Sequence, residues 1–245
     1  MSSALRTTAS ALRYFGVAIL GIPLAVACQE YRIFGDDEKD GNSVTDTSEP
    51  EDTDDTDDTE NDETSEDNPR DPEEGDLVIT ELMINPDATA DEDGEWIEIY
   101  NGSNSWLDLA YHHIADDDVD NYKVDRLHPD SLVVGPGGYL VICADKDSDD
   151  NGGAECDGSY VWNSFGDGFA LSNTSDQVRL LDTRGNELDR VDYGEGFSQV
   201  GVALGLLPTD MSATLNDDVG NWCSQWSVMS GGDAGTPGEV NDLCD

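Results

Sequence analysis

Apolar residues in this chain fall into short runs with no helical period. Val78, Ile79, Leu82 and Met83 form one run, stopped by Asn85-Pro86, and Trp96-Ile97-Glu98-Ile99-Tyr100 forms another, stopped by Asn101-Gly102. β-Branched and aromatic residues bounded by turn formers predict two half-buried strands. The rhythm continues through residues 106–114, an acidic loop, 130–134 and 138–144. An insertion over 145–159 follows, then a return near 160–162, and the Gly166-Asp167-Gly168 turn precedes Phe169-Ala170-Leu171. Residues 177–182 and 187–193 flank Thr183-Arg184-Gly185-Asn186, the pattern of a β-hairpin with apolar residues alternating on both arms. There is no heptad and no repeat. From 216 to 245 the chain is rich in Gly and Asp, which predicts mostly loop, with Trp222 and Trp226 sealing one end of the fold.

The stretch from Leu77 to Asn101, LVITELMINPDATADEDGEWIEIYN, resembles the opening of the bacterial lamin-tail domain: an I-T-E-I strand, a polar loop and a D-G-E-W-I-E-L strand. Further similar segments are Leu107-Asp108-Leu109 with Ala115-Asp116-Asp117, then Pro136-Gly137-Gly138-Tyr139-Leu140-Val141-Ile142. Val178-Arg179-Leu180-Leu181-Asp182 and a closing Thr236-Pro237-Gly238 with Asn241 complete the resemblance, which covers residues 77–244. It implies an all-β fold, an immunoglobulin-like β-sandwich, over 77–245. It also implies an accessory module, since bacterial domains of this family commonly accompany larger exported hydrolases. This chain has no room for one.

Charge narrows the partners. Residues 36–76 hold 21 acidic residues against Lys39 and Arg70, with almost no aliphatic or aromatic residue among them. Such a segment cannot bury enough apolar surface to offset chain entropy, so 28–76 is expected to be a disordered acidic linker. Residues 77–245 carry 34 acidic and 6 basic residues, a net charge of −28. Phosphate neutralisation requires the opposite sign, which excludes nucleic acid and disfavours an anionic membrane surface. So dense a carboxylate surface points to divalent cations, basic ligands or a saline habitat.

Arg6 and Arg13 precede an apolar core over 14–27, too short to span a bilayer, so residues 1–27 are expected to be a signal peptide. Leu24-Ala25-Val26-Ala27-Cys28 resembles a bacterial lipobox, with Ala25 where leucine is usual. That resemblance implies lipid attachment at Cys28 and anchoring to a membrane. Gln29 rather than aspartate after the cysteine implies the outer membrane of the cell envelope. The alternative is secretion, with Cys28 inside the cleaved peptide. Cys143, Cys156, Cys223 and Cys244 remain, and in an exported chain they predict two disulfides. Three connectivities are possible. Local pairing, Cys143 with Cys156 and Cys223 with Cys244, is the expected one.

Asp147-Ser148-Asp149-Asp150-Asn151-Gly152-Gly153-Ala154-Glu155 matches the first half of a D-x-D-x-N-G calcium loop, in which alternate side chains bring oxygens to one point. The bidentate glutamate of an EF-hand would fall at Gly158, so the calcium ligands expected are Asp147, Asp149, Asn151, Glu155 and Asp157. Asp91-Glu92-Asp93-Gly94-Glu95 is a second acidic loop and Asp116-Asp117-Asp118 with Asp120 a third. Sandwich loops cluster at two ends, so two of the three are expected to share a pole. Glu81 and Glu98 lie in adjacent strands and have the residue types of a glycoside-hydrolase pair, but both fall on structural positions of the family pattern. His112 and His113 stand where the family has a tryptophan and a small polar residue, and Tyr111 replaces its glycine. Neighbours on a strand face opposite ways and do not share a metal. The expectation is therefore a non-enzymatic envelope lipoprotein displaying a binding module for a surface protein or glycan. The alternatives are a calcium-dependent adhesion or matrix module and a small hydrolase using Glu81 and Glu98.

Overall fold

The computed structural model of the protein describes residues 64–66, 68–117, 119–126, 131–163 and 168–244, without the side chains of 125 and 126. The expected signal peptide, Cys28 and most of the acidic linker lie outside the described residues. Thirteen strands follow one another along these segments. They are β1 (Leu77–Met83), β2 (Trp96–Asn101), β3 (Leu107–Asp108), β4 (His113–Ala115), β5 (Asn121–Lys123), β6 (Asp125–Arg126) and β7 (Val133–Val134). Then come β8 (Tyr139–Cys143), β9 (Gly158–Ser159), β10 (Asp176–Leu181), β11 (Glu187–Tyr193), β12 (Leu204–Leu206) and β13 (Trp222–Ser224). One sheet has the order β13-β12-β1-β2-β8-β9-β6, a second β11-β10-β4-β5, and β3 pairs with β7. The two larger sheets face each other as an immunoglobulin-like β-sandwich, and one apolar core joins them. Ile79, Ile97, Ile99 and Ile142 come from one sheet, and Ile114, Val178, Leu180 and Val191 from the other.

The alternation along β1 changes phase, and this sets what lies outside the sandwich. Ile79 pairs with Ile99 and Leu82 with Ile97, all in the core, yet three positions rather than two separate Ile79 from Leu82. A bulge between Ile79 and Glu81 absorbs the extra residue. It leaves Glu81 opposite Glu98 and Met83 opposite Trp96, the latter two in a separate apolar cluster with Val141 and Cys143. Across the sandwich, the Ile79 N–H donates to Asp189 of β11 at 2.6 Å, tying the sheets together at the bulge.

Several expected elements differ. β1 is buried at all seven positions and β2 at all but Tyr100, so neither is half-buried. The reason is the C-terminal tail, which returns across the outer face: Asn241 Nδ2 donates to Thr80 O and Leu206 O, and Asp242 caps the N–H groups of Trp226 and Ser227. Gly205 of β12 lies beneath this tail, where a Cβ would come within 2.2 Å of Gln225 Nε2. The tail itself supplies β13. Trp222 is buried in the core as expected, but Trp226 is exposed. The run 106–114 divides into β3 and β4, because Asp108 Oδ1 accepts from the Ala110 N–H and Tyr111 takes a φ of 67°. Residues 160–162 and 169–171 form only an isolated bridge, Trp162 with Phe169. Before Leu77, Arg70 already bridges to Leu107 and pairs with Asp76 at 2.6 Å, so pairing with the sandwich begins inside the stretch expected as linker.

Two disulfides staple the outer side, Cys143–Cys156 and Cys223–Cys244. Peptide mapping of the oxidised protein should recover these two linkages. Loops of 13 and 21 residues predict that serine replacement of either pair lowers stability by about 3 kcal/mol. A Cys143–Cys223 linkage in the map would contradict this arrangement.

Candidate functional site

Glu81 and Glu98 sit side by side on the outer face of the large sheet, and neither is solvent-accessible. The tail occupies their oxygens. Glu81 accepts from the Thr236 backbone N–H at 2.9 Å and from the Thr236 hydroxyl at 2.9 Å, while Glu98 accepts from the Gly238 N–H at 2.8 Å and the Thr80 hydroxyl at 2.8 Å. Burial pushes Glu81 up to about 8 against the pull of these bonds, and burial together with the neighbouring Glu81 charge raises Glu98. A glycosidase pair needs a substrate between its carboxyls. Here a strand register and a peptide strap fill that place, so the hydrolase alternative has no site in this pair.

The loop expected to bind calcium is held by a network of its own hydrogen bonds. Asn151 is buried, its Oδ1 accepts from the N–H groups of Gly153 and Ala154, and its amide donates to Asp145 O and Ala154 O. Asp157 Oδ2 caps the Val141 N–H at 2.9 Å, and Asp147 Oδ1 accepts from Asp149 N. The loop then docks on the tail, where Gly231 N–H donates to Gly152 O at 3.1 Å. Among the described residues no three His, Cys, Asp or Glu side chains are grouped as metal ligands. Within the D-x-D-x-N-G stretch the asparagine satisfies the backbone of a turn.

The other two acidic loops do share a pole. Asp91 and Glu95 bracket the short helical turn Asp91–Gly94, and Asp116 and Asp120 close the β4–β5 hairpin, where Asp120 N–H donates to Asp116 Oδ1 at 2.9 Å. With Asp176 at the start of β10, these residues line an open hollow of about 440 Å³ between the ends of the two sheets. Val119, Trp162, Leu171 and Ser172 complete its wall, and none of the lining residues is basic. Asp118 lies outside the described residues. Asp117 turns away and pairs with Arg179 and Arg190. Glu95 forms the floor. It is 1% exposed, and its Oε2 accepts from the Leu171 N–H at 2.8 Å. Burial pushes its pKa up to about 8, with the Leu171 bond opposing. The Trp162 indole beside the same carboxyl and the Tyr160 hydroxyl, 3.5 Å from Oε2, also favour its charged form. Asp176 and Trp162 carry no motif in the sequence; their place depends on pairings remote along the chain.

His112 is fully buried, with Nδ1 3.1 Å from Ala110 O, whereas His113 is half-buried beside Asn121. The two histidines diverge as their adjacency predicts.

Four buried carboxyls therefore have raised pKa values, Asp189 reaching about 7. Above the ordinary carboxylate values of 4.5 and 3.8 the unfolded chain has released protons that the folded chain still holds. Stability is then greatest below that range and falls as pH rises to about 8, by about 1.4 kcal/mol per pH unit for each proton held. Denaturant midpoints measured from pH 5 to 8 should decline. Glu81→Gln should flatten the decline, and Glu81→Ala should cost about 1–3 kcal/mol at every pH by orphaning the Thr236 N–H. A Glu81→Gln curve parallel to wild type would contradict the assignment.

Comparison with known proteins agrees with the sandwich. The family model described as Lamin Tail Domain matches residues 70–195, which takes in β1 to β11 and leaves β12, β13 and the tail beyond it. No curated protein and no solved structure matches the chain. The lamin tail family is one of non-catalytic immunoglobulin-like domains. With just over half its length matched by that model, the chain belongs to the lamin tail domain family.

Proposed function

We propose that this protein is an exported lipoprotein of the cell envelope, attached through Cys28, that displays its lamin tail sandwich as a non-enzymatic binding module. One observation carries the reading. The carboxyl pair that a hydrolase would need is sealed beneath Thr236 and Gly238, while residues 77–245 carry a net charge of −28. Recognition, rather than bond cleavage, is what such a surface performs: it selects partners by charge and raises their encounter rate. The acidic stretch before the domain serves in this reading as a self-repelling spacer between anchor and sandwich. Gln29 behind the lipobox cysteine directs the anchor to the outer membrane.

Cell fractionation tests the anchor. One acyl chain holds a protein to a membrane only marginally and two or more hold it stably, so Cys28→Ser should move the protein from the membrane fraction to the soluble fraction. Wild-type recovery of that variant in membranes would sink the anchored-module reading.

A further inference from the structure

Asn216 is wholly buried, and its side-chain oxygen has no hydrogen-bond donor among the described residues. The orientation of its amide is fixed. Nδ2 donates to Ile79 O at 3.3 Å and to Asp189 Oδ2 at 2.8 Å, and turning the group over would set oxygen against oxygen at both contacts. A dry acceptor of this kind is costly and rare in folded proteins. The side chain bonded to it, Asp189 of β11, is 4% exposed. A carboxylate only accepts, whereas a carboxylic acid also has an O–H to give. Asp189 Oδ2 already takes the Ile79 N–H at 2.6 Å and the Asn216 amide, so a proton on Oδ1 is the donor that can serve Asn216 Oδ1. An acid and an amide joined in this way each give one hydrogen bond and take one.

The surroundings of Asp189 favour the acid. It pairs with Leu180 of β10 and reaches Ile79 of β1, both uncharged. The charged groups around the adjoining hollow, of about 720 Å³, are Glu74 before β1, Glu187 and Arg190 of β11 and Asp217 of the loop between β12 and β13. The Arg190 guanidinium engages Asp117 and Asp192, and the Asp217 charge opposes a second charge at Asp189. Burial pushes Asp189 up to about 7, against the pull of donors from Ile79, Asn216 and the Arg190 backbone.

The loop between β12 and β13 is gathered on Asn216. The Trp222 indole donates to Asn216 O at 2.8 Å, the Asn216 N–H donates to Ser212 O at 3.1 Å, and Met211 and Ala213 rest on the core. Ala213, Thr214 and Asp217 wall the hollow beside Asp189, which gives a proton there a way to solvent. We propose that Asp189 and Asn216 form a proton-operated latch: the Asp189 O–H bonds to Asn216 Oδ1 and holds residues 212–221 against the sandwich, and loss of that proton lets them go. Ionisation leaves two acceptors face to face. The folded chain holds the proton more tightly than the unfolded one, so the latch is shut below about pH 7 and opens as pH rises through it.

Nuclear magnetic resonance on the full-length protein, from about pH 5 to about pH 8.5, tests this. The carbon-13 resonance of the Asp189 carboxyl should titrate near 7, and the Trp222 indole N–H resonance should shift with the same midpoint. Across that range the backbone amide of Asn216 should gain about tenfold or more in exchange rate relative to the amides of β2. The ratio cancels both the base catalysis of exchange and any global loss of stability. Asp189→Asn, whose amide donates at every pH, should hold the indole shift and the exchange ratio at their low-pH values. Glu81→Gln, which removes a buried acid under the tail, should leave both responses as in the wild type. Should Asp189→Asn fail to fold, the carboxyl resonance and the exchange ratio of the wild type still decide. A carboxyl that titrates near the ordinary 3.8, or an exchange ratio that stays flat, would overturn the latch. So would an Asp189→Asn variant that keeps the wild-type response, or a Glu81→Gln variant that loses it.

Discussion

Two glutamates facing each other on the outer surface of a sheet cannot be buried without donors, and the rest of this structure follows from how that demand is met. Glu81 and Glu98 are register partners because of the β1 bulge, and the donors around them, apart from Thr80, come from residues 236–239. A tail with little apolar surface of its own thereby becomes a third layer. It converts an open sheet face into interior, and it explains why β1 has no exposed position. Deleting an acceptor from such a network costs more than one hydrogen bond is worth, since the orphaned donor stays dry.

The same tail makes the two halves of the outer side interdependent. Gly231 meets Gly152 of the insertion loop, Cys156 of that loop is bound to β8, and Cys244 returns the chain end to β13. The disulfides therefore clamp the segments that lack a strand ladder of their own. Acidic residues divide accordingly. Glu81 and Glu98 under the tail hold the fold together, Asp117, Glu187 and Asp192 engage Arg179 and Arg190, and Asp91, Glu95, Asp116, Asp120 and Asp176 line the hollow at the β4–β5 pole.

Much of the fold was legible in the chain. Short β-branched runs between turn formers located β1, β2, β8, β10 and β11, and the Asp182–Asn186 turn announced its hairpin. The cysteine spacing anticipated both bridges. Burial of the outer face was less accessible, because it depends on Thr236 and Asn241 meeting β1 across more than 150 residues. A signal for it was present nonetheless: the phase change from Ile79 to Leu82 places a glutamate opposite Glu98. At Asn151 a spacing shared with calcium loops also serves backbone capping, and the pole occupied by Asp176 and Trp162 is assembled by pairings that no local pattern encodes. The tail's strand β13, Trp222–Ser224, has three residues and gave no periodic signal.

Native-state hydrogen exchange tests the tail's place in the fold most directly, through the amides of Thr236 and Gly238 that donate to the two glutamates. If the strap is part of the cooperative core, these amides exchange only on global unfolding, with the same protection as those of β1 and β2. Exchange of both amides at the rate of exposed loop positions, while β1 stays protected, would show that the glutamates are buried without the tail and would contradict this account.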